Sequence, residues 1–319
     1  MIKFIIFIIF NIILAFLGYR WFQTNVDMPS LIENIKDINT RAILISGIPG
    51  VAVLLMYGYR MKFFISRSFP SAFVISIMGH GFNNLFPFRL GEFARVMLAR
   101  RFYRVSVYDL GVTIILEKSF DLICIGFLAL VAFYFISHLE ASVWLLVGLG
   151  IAVACISAAI MQVDFSKYIA KDSRLSKYFL KLNEAIRYSH LREKLFSVTF
   201  SSVLLWSCLV SQFYLYFTIS LPSVSFTLLD AIALSVITAV TFVVPLTISS
   251  IGVFEGSVIY YLHSQHSIPM EQSLVLASVL HLAMVLPQVA GTFLSVLYKE
   301  VERLFQTSRQ RTTLDVVVK

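Results

Sequence analysis

Between Gly79 and Asp121 the chain sets side chains that could bind a charged group inside an otherwise apolar sequence. Asn83, Asn84, Pro87, Arg89, Gly91, Glu92 and Arg95 are followed by Glu117, Lys118 and Asp121. Arg89 and Arg95 carry planar guanidinium forks, which hold phosphate or carboxylate through two parallel hydrogen bonds. Asn83 and Asn84 can donate and accept, and a helix opening near Gly91 would turn backbone N–H groups toward an anion. Glu117 and Asp121 are four residues apart, so they share one helical face, with Lys118 three residues from Asp121. That face could pair with Arg89 or Arg95. Two uses fit these residue types equally: recognition of a polar headgroup, or ion pairs that lock a broken segment to its neighbour. In lipid, either use requires the charges to face protein or a water-filled cavity.

A second interruption runs from Pro245 through Ser249, Ser250, Gly252, Glu255 and Gly256. Glu255 has no cation near it in sequence, so it is either paired across the fold or protonated. His281, inside the last apolar run, reads as a residue hydrogen-bonded between helices. The 6 histidines show no ligand spacing, so neither a metal nor a cofactor is expected. Glu117, Asp121 and His281 define no reaction by their spacing, and the chain is expected not to be an enzyme. Cys124, Cys155 and Cys208 match no redox or metal pattern and read as packing residues.

These groups must be positioned by membrane helices. Of 319 residues, 58% are hydrophobic and 14% charged, and the mean hydropathy is +0.83. A soluble protein could not cover that much apolar surface. Runs near the ~20 residues needed to cross hydrocarbon fall at 4–20, 42–59, 110–137, 141–163, 196–219 and 272–298. The first run ends at Tyr19-Arg20-Trp21 without a small-residue cleavage site and reads as an uncleaved helix. The longest loop, 164–195, is too short for a soluble catalytic domain, and its basic face suits a helix lying in the cytoplasmic interface.

Charge sets the expected topology. All Lys and Arg except Arg20, Lys36, Arg41 and Lys118 fall on one side, which places both termini in the cytoplasm. The net charge of +8 is therefore a topology signal and implies no nucleic acid. Segment 71–88 has cytoplasmic charges on both flanks, so it should enter the membrane and return; 231–263 has none at either end and should do so from the other face. The expected fold is all-α: a polytopic membrane helical bundle, one integral domain over 1–319, with about six full spans and two opposed re-entrant segments. Pro87, Gly91, Pro245, Gly252 and Gly256 are the expected structural or hinge positions. Pro87-x3-Gly91-x-Phe93 echoes Pro245-x6-Gly252-x-Phe254, the mark of an inverted repeat whose broken segments meet inside the bundle.

At these residues the sequence resembles a known family. Asn83-Asn84-Leu85-Phe86-Pro87-x-Arg89-x-Gly91-Glu92-x2-Arg95, then Glu117-Lys118-x2-Asp121, resembles the flippase-like membrane domain of lysylphosphatidylglycerol synthases. Gly252-Val253-Phe254-Glu255-Gly256 resembles the second signature of that family, and the likeness runs from about residue 5 to 300. The family often has Arg where Lys118 stands and a glycine-rich turn where Ser249 and Ser250 stand. No synthase domain follows, so a stand-alone member without lipid synthesis is expected. The resemblance implies flipping or other handling of an anionic or polyprenyl-phosphate-linked lipid in the bacterial inner membrane. Asn83, Asn84, Arg89, Glu92, Arg95, Glu117, Lys118, Asp121 and Glu255 are the expected substrate contacts. The alternative is a non-transporting partner of a membrane glycosyltransferase or lipid-modifying enzyme.

Overall fold

The computed structural model describes residues 22–86, 89–135, 191–243 and 247–317, together with Phe16, Gly18 and Arg20. The expected spans 4–20 and 141–163, the interfacial helix over most of 164–195, and Pro87, Pro245 and Cys155 therefore lie wholly or largely outside the described residues. Every described element is helical. In chain order these are α1 (Met28–Lys36), α2 (Thr40–Ile65), α3 (Phe69–Leu85), α4 (Leu90–Tyr103), α5 (Val107–Phe135), α6 (Leu191–Ser220), α7 (Leu228–Val243), α8 (Val253–His266) and α9 (Met270–Val317).

Local sequence accounts for the short helix. Asp27 caps α1 by accepting from the Ser30 N–H at 3.0 Å, a proline stands in its first turn, and Lys36 sits at its negative end. The long helices are instead apolar. Among the described residues, Thr40–Ile65, Glu193–Ser220 and Met270–Arg303 are long and apolar enough to cross a membrane. The chain is an all-α membrane helical bundle. Its helices overrun the expected spans: α2 continues from 59 to Ile65, and α9 runs to Val317 instead of stopping at 298.

Two hairpins of shorter helices stand between the long ones. α3 has 17 residues and α4 has 14. At 1.5 Å per residue these limbs reach about 25 and 21 Å, short of the ~30 Å hydrocarbon core. The Arg67 guanidinium donates to the Tyr103 carbonyl at 3.5 Å, which joins the open ends. α7 and α8, of 16 and 14 residues, form the second hairpin. Its open ends meet at Asp230, which accepts from the Tyr261 hydroxyl at 2.8 Å and lies 3.1 Å from His266 Nε2. The arginine-rich stretch 90–103, read from its charge as a cytoplasmic flank, is thus the returning limb of the first hairpin. Its low hydropathy conceals a helix whose Gly91, Arg95 and Ala99 are buried.

The internal repeat exists, in a different register from the one the Gly-x-Phe pattern suggests. α4 and α8 are both 14 residues long and start 163 residues apart, at 90 and 253. The residues before them, Arg89 (φ 53°) and Gly252 (φ 85°), both have positive φ; those after them, Arg104 (φ 52°) and Ser267 (φ 55°), are both left-handed. The closing bonds match as well, with Val105 N–H to Ala99 C=O at 3.5 Å and Ile268 N–H to Leu262 C=O at 3.3 Å. The next helices open at 107 and 270, at the same offset. Gly91 therefore corresponds to Phe254, because cap geometry and not residue type defines the repeat.

The chain divides into two compact units, with the boundaries falling inside long helices. One unit takes Met1–Val51, Phe127–Val143 and Ser207–Met284; its core includes Phe213, Tyr216, Phe217, Phe254, Leu262 and Leu280. There the Tyr216 hydroxyl donates to the Leu276 carbonyl at 2.9 Å. The other takes Ala52–Gly126, Trp144–Trp206 and Val285–Lys319, with cores around Met61, Ile75 and Leu110 and around Phe64, Leu116 and Val198. The first hairpin belongs to the second of these units, and the second hairpin to the first.

Candidate functional site

The first hairpin closes on Gly91. A Cβ there would overlap the Asn83 backbone nitrogen and the Gly79 carbonyl oxygen, so only glycine lets the two limbs approach this closely. Asn83 fastens the turn from both sides: its Oδ1 accepts from the Glu92 N–H at 3.2 Å and its Nδ2 donates to Glu92 Oε1 at 3.2 Å. The expected anion-binding N–H at this helix start is thus already taken at Glu92. Asn84 donates to Gln288 Oε1 on α9 at 3.0 Å. Both asparagines act as clasps of the hairpin.

Behind the turn lies a buried ion cluster. Arg95 Nη1 donates to Glu117 Oε2 on α5 at 2.8 Å, and Arg95 Nη2 lies 2.6 Å from Glu92 Oε2, close as an ion pair but outside hydrogen-bond alignment. Arg95 is 1% exposed and Glu117 2%. Lys118 Nζ stands 3.5 Å from Glu92 Oε1 and is partly exposed. Arg89, at the hairpin tip, is within electrostatic reach of Glu92 and Asp121. The predicted partner face on α5 is therefore real for Glu117 and Arg95.

Asp121 pairs differently from the expectation. Its carboxylate accepts from Arg60 Nη1 at 2.6 Å and Nη2 at 3.3 Å, and from Trp206 Nε1 at 3.3 Å. Arg60 also reaches the Ser202 hydroxyl at 3.3 Å and is 1% exposed. On charge alone Arg60 belongs to the cytoplasmic flank, because the apolar run ends at 59. The extra turns of α2 instead carry it inward, where an ionised aspartate offers a forked partner. A lone Arg contiguous with a helical run, with a buried Asp elsewhere awaiting a cation, was the available signal. Tyr57, one turn earlier, packs its ring against His80 at a centroid distance of 3.8 Å, tilted by 31°, and lies beside the Arg60 guanidinium.

Arg60, Arg89, Arg95 and Lys118 thus surround Glu92, Glu117 and Asp121. Among the described residues, Glu117 Oε1, Arg60 Nε and Arg95 Nε are buried without a hydrogen-bond partner. Buried polar atoms in native proteins are nearly all satisfied, so such a cluster retains capacity for one further polar group. A phosphate or carboxylate accepts from guanidinium donors, and a hydroxyl or amine donates to Glu117.

Glu255 sits in the other unit, among different neighbours. Its Oε2 accepts from the Gly252 N–H at 2.6 Å, capping α8, and its Oε1 lies 2.7 Å from His281 Nδ1 on α9. The Phe254 ring stacks on the imidazole at a centroid distance of 4.5 Å. Of the two sequence alternatives, pairing is the one realised, and His281 is the interhelical residue it was read to be. The turn before it is made by Ser249 (φ 54°) and Ser250 (φ 59°), left-handed positions of the kind that glycine fills without strain. Gly256 has no close neighbour, so nothing in packing demands glycine there. No cluster of His, Cys, Asp or Glu that could hold a metal occurs among the described residues.

The repeat places these pairs in register. Glu92 and Glu255 are both the third residue of the returning limb, and each meets a basic side chain 26 residues later, Lys118 or His281. Three further charges have apolar counterparts: Arg95 corresponds to Val258, Glu117 to Leu280 and Asp121 to Met284.

The family model for the lysylphosphatidylglycerol synthase TM region matches residues 4–291. No curated protein and no solved structure matches the chain.

Proposed function

Since the chain belongs to the lysylphosphatidylglycerol synthase TM region family, we propose that it moves a lipid with an anionic or polyprenyl-phosphate-linked headgroup between leaflets. The reading places it in the bacterial inner membrane with both termini cytoplasmic, and gives it no catalytic step. Arg89 and Lys118 contact the headgroup phosphate, while Arg60, Arg95, Glu92, Glu117 and Asp121 hold the charged surface those two residues belong to. The two limbs of each hairpin, too short to cross, are re-entrant elements.

One observation carries this reading: four guanidinium or carboxylate side chains among the described residues, Arg60, Glu92, Arg95 and Glu117, keep buried polar atoms without a hydrogen-bond partner. A purely structural lock between α4 and α5 would need no more than the Arg95–Glu117 pair. Burying ions is costly unless they are paired, and replacing them with apolar residues is often neutral or stabilising, so a buried cluster of this size supports a role beyond stability.

Proteoliposomes containing fluorescent phosphatidylglycerol test the reading. Arg89→Gln and Lys118→Gln should each slow translocation about tenfold or more, the size of one lost charged hydrogen bond. Wild-type rates in both variants would remove the headgroup role. A pure protein that moves no lipid but copurifies with a glycosyltransferase or lipid-modifying enzyme would support the scaffold alternative instead.

A further inference from the structure

We infer that the Glu255–His281 pair is a binding site for a coupling proton, the titratable counterpart of the permanent Glu92–Lys118 pair. The inference rests on the lipid-translocating reading above and names the ion that would drive or gate it.

The repeat supplies the comparison. In both hairpins a glutamate stands on the first turn of the returning limb, and 26 residues later a basic side chain faces it from the following helix. In one case that side chain is an ammonium, a fixed charge by residue type. In the other it is an imidazole, the side chain type that changes charge between roughly pH 5 and 8. With the proton bound, the Glu255–His281 pair is neutral; without it, the pair carries one negative charge.

That charge has few places to go. Glu255 already spends one oxygen on the Gly252 N–H, where the start of α8 favours a negative charge, and turns the other toward the ring. Phe254 covers the ring on one face, and both residues of the pair are buried. Among the described residues of α7, α8 and α9 in this unit, the other charged or imidazole groups stand away from the tip. Asp230 and His266 pair with each other at the open end, and His263 Nδ1 meets the Ile268 carbonyl at 3.0 Å. His263 is eight residues from Glu255 along α8, about 12 Å, and Glu271 is ten residues before His281 along α9, about 15 Å. The packed stretches of α5 (127–135) and α6 (207–220) contain no Asp, Glu, Lys or Arg, and Arg41 stands in the first turn of α2. No other cation on these elements can substitute for the proton. Proton binding therefore tightens the seam between α8 and α9, and proton loss loosens it beside the left-handed serines 249 and 250 that precede the Gly252 cap.

The test uses the full-length protein in proteoliposomes, comparing lipid translocation across roughly pH 5.5 to 8. Wild type should slow at least fivefold, on the order of a modest allosteric coupling, as pH falls and the seam closes. His281→Lys should be slow at every pH, and Glu255→Gln fast at every pH. A His281→Lys variant keeping the wild-type pH profile would overturn the inference, since His263 and His266 remain in it. Amide hydrogen exchange of residues 247–256 in lipid nanodiscs gives a readout independent of transport. Protection there, corrected for intrinsic exchange, should rise with protonation in wild type and stay constant in Glu255→Gln. A pH-independent wild type in this second measurement overturns the proton site even where no lipid moves; a pH-dependent one upholds it while the translocation reading falls.

Discussion

Arg95 and Glu117 together cost the protein little, and separately a great deal. Removing one partner leaves the other buried and unpaired, so Arg95→Ala or Glu117→Ala should lower stability by roughly 3–5 kcal/mol in denaturation of the micelle-bound protein. The repeat suggests how to remove both. Their counterparts Val258 and Leu280 are fully buried apolar residues packed at the equivalent positions. The double variant Arg95→Val with Glu117→Leu should therefore lose less stability than either alanine variant, and a larger loss would refute the equivalence. This pair is legible in the sequence, because Glu117 and Asp121 share a helical face and Arg89 and Arg95 stand on the interrupted segment just before it. The Arg60–Asp121 pair is not, because a charge at the end of an apolar run looks the same whether it meets water or is drawn inward. Arg60→Lys checks the forked contact: an ammonium cannot span both carboxylate oxygens, so it should retain only part of the stability that Arg60→Met loses.

The helical hairpins show a similar division. Their tips could be read from Gly, Pro, Asn and Ser crowded into apolar sequence, since those residues break helices or take unusual backbone angles. Their limbs could not, because 90–103 looks polar in composition and its burial depends on which neighbours it meets. The tips make opposite demands at their glycines. Gly91→Ala should prevent the first hairpin from closing, since backbone atoms of Asn83 and Gly79 occupy the space a Cβ needs. Gly256→Ala lies in a helix with open space around it and should stabilise by about 0.5–1 kcal/mol through helix propensity. At the second tip the strain is in serines. Ser249→Gly and Ser250→Gly each relieve a left-handed penalty of roughly 1–2 kcal/mol, less the entropy glycine loses on folding, and Ser250→Gly gives back about 0.5–1.5 kcal/mol with the bond from its hydroxyl to the Thr241 carbonyl at 3.3 Å. Thermal unfolding of the four single variants orders them, and an unperturbed Gly91→Ala would contradict the close approach of α3 and α4.

Across the whole chain, one pattern of long helix, two short limbs and long helix occurs twice, as α2 to α5 and again as α6 to α9. The copies have kept their caps and lost their likeness elsewhere: one concentrates guanidinium and carboxylate groups, the other a single histidine–glutamate pair in an apolar setting. Composition could reveal the membrane class and charge could suggest two interruptions, but the offset of 163 residues emerges only from backbone angles, since few identities survive between copies. Arg104 and Ser267 are the equivalent, exposed C-caps of the returning limbs. If the repeat is inverted in the membrane, as the basic residues around the first hairpin and their scarcity around the second suggest, these two caps face opposite compartments. Single cysteines at the two positions, in a background with Cys124, Cys155 and Cys208 replaced, decide this. A membrane-impermeant maleimide added to intact cells should label Ser267→Cys and spare Arg104→Cys until the cytoplasmic face is opened. Labelling of both from the same side would mean a parallel repeat and would count against the proposed transport.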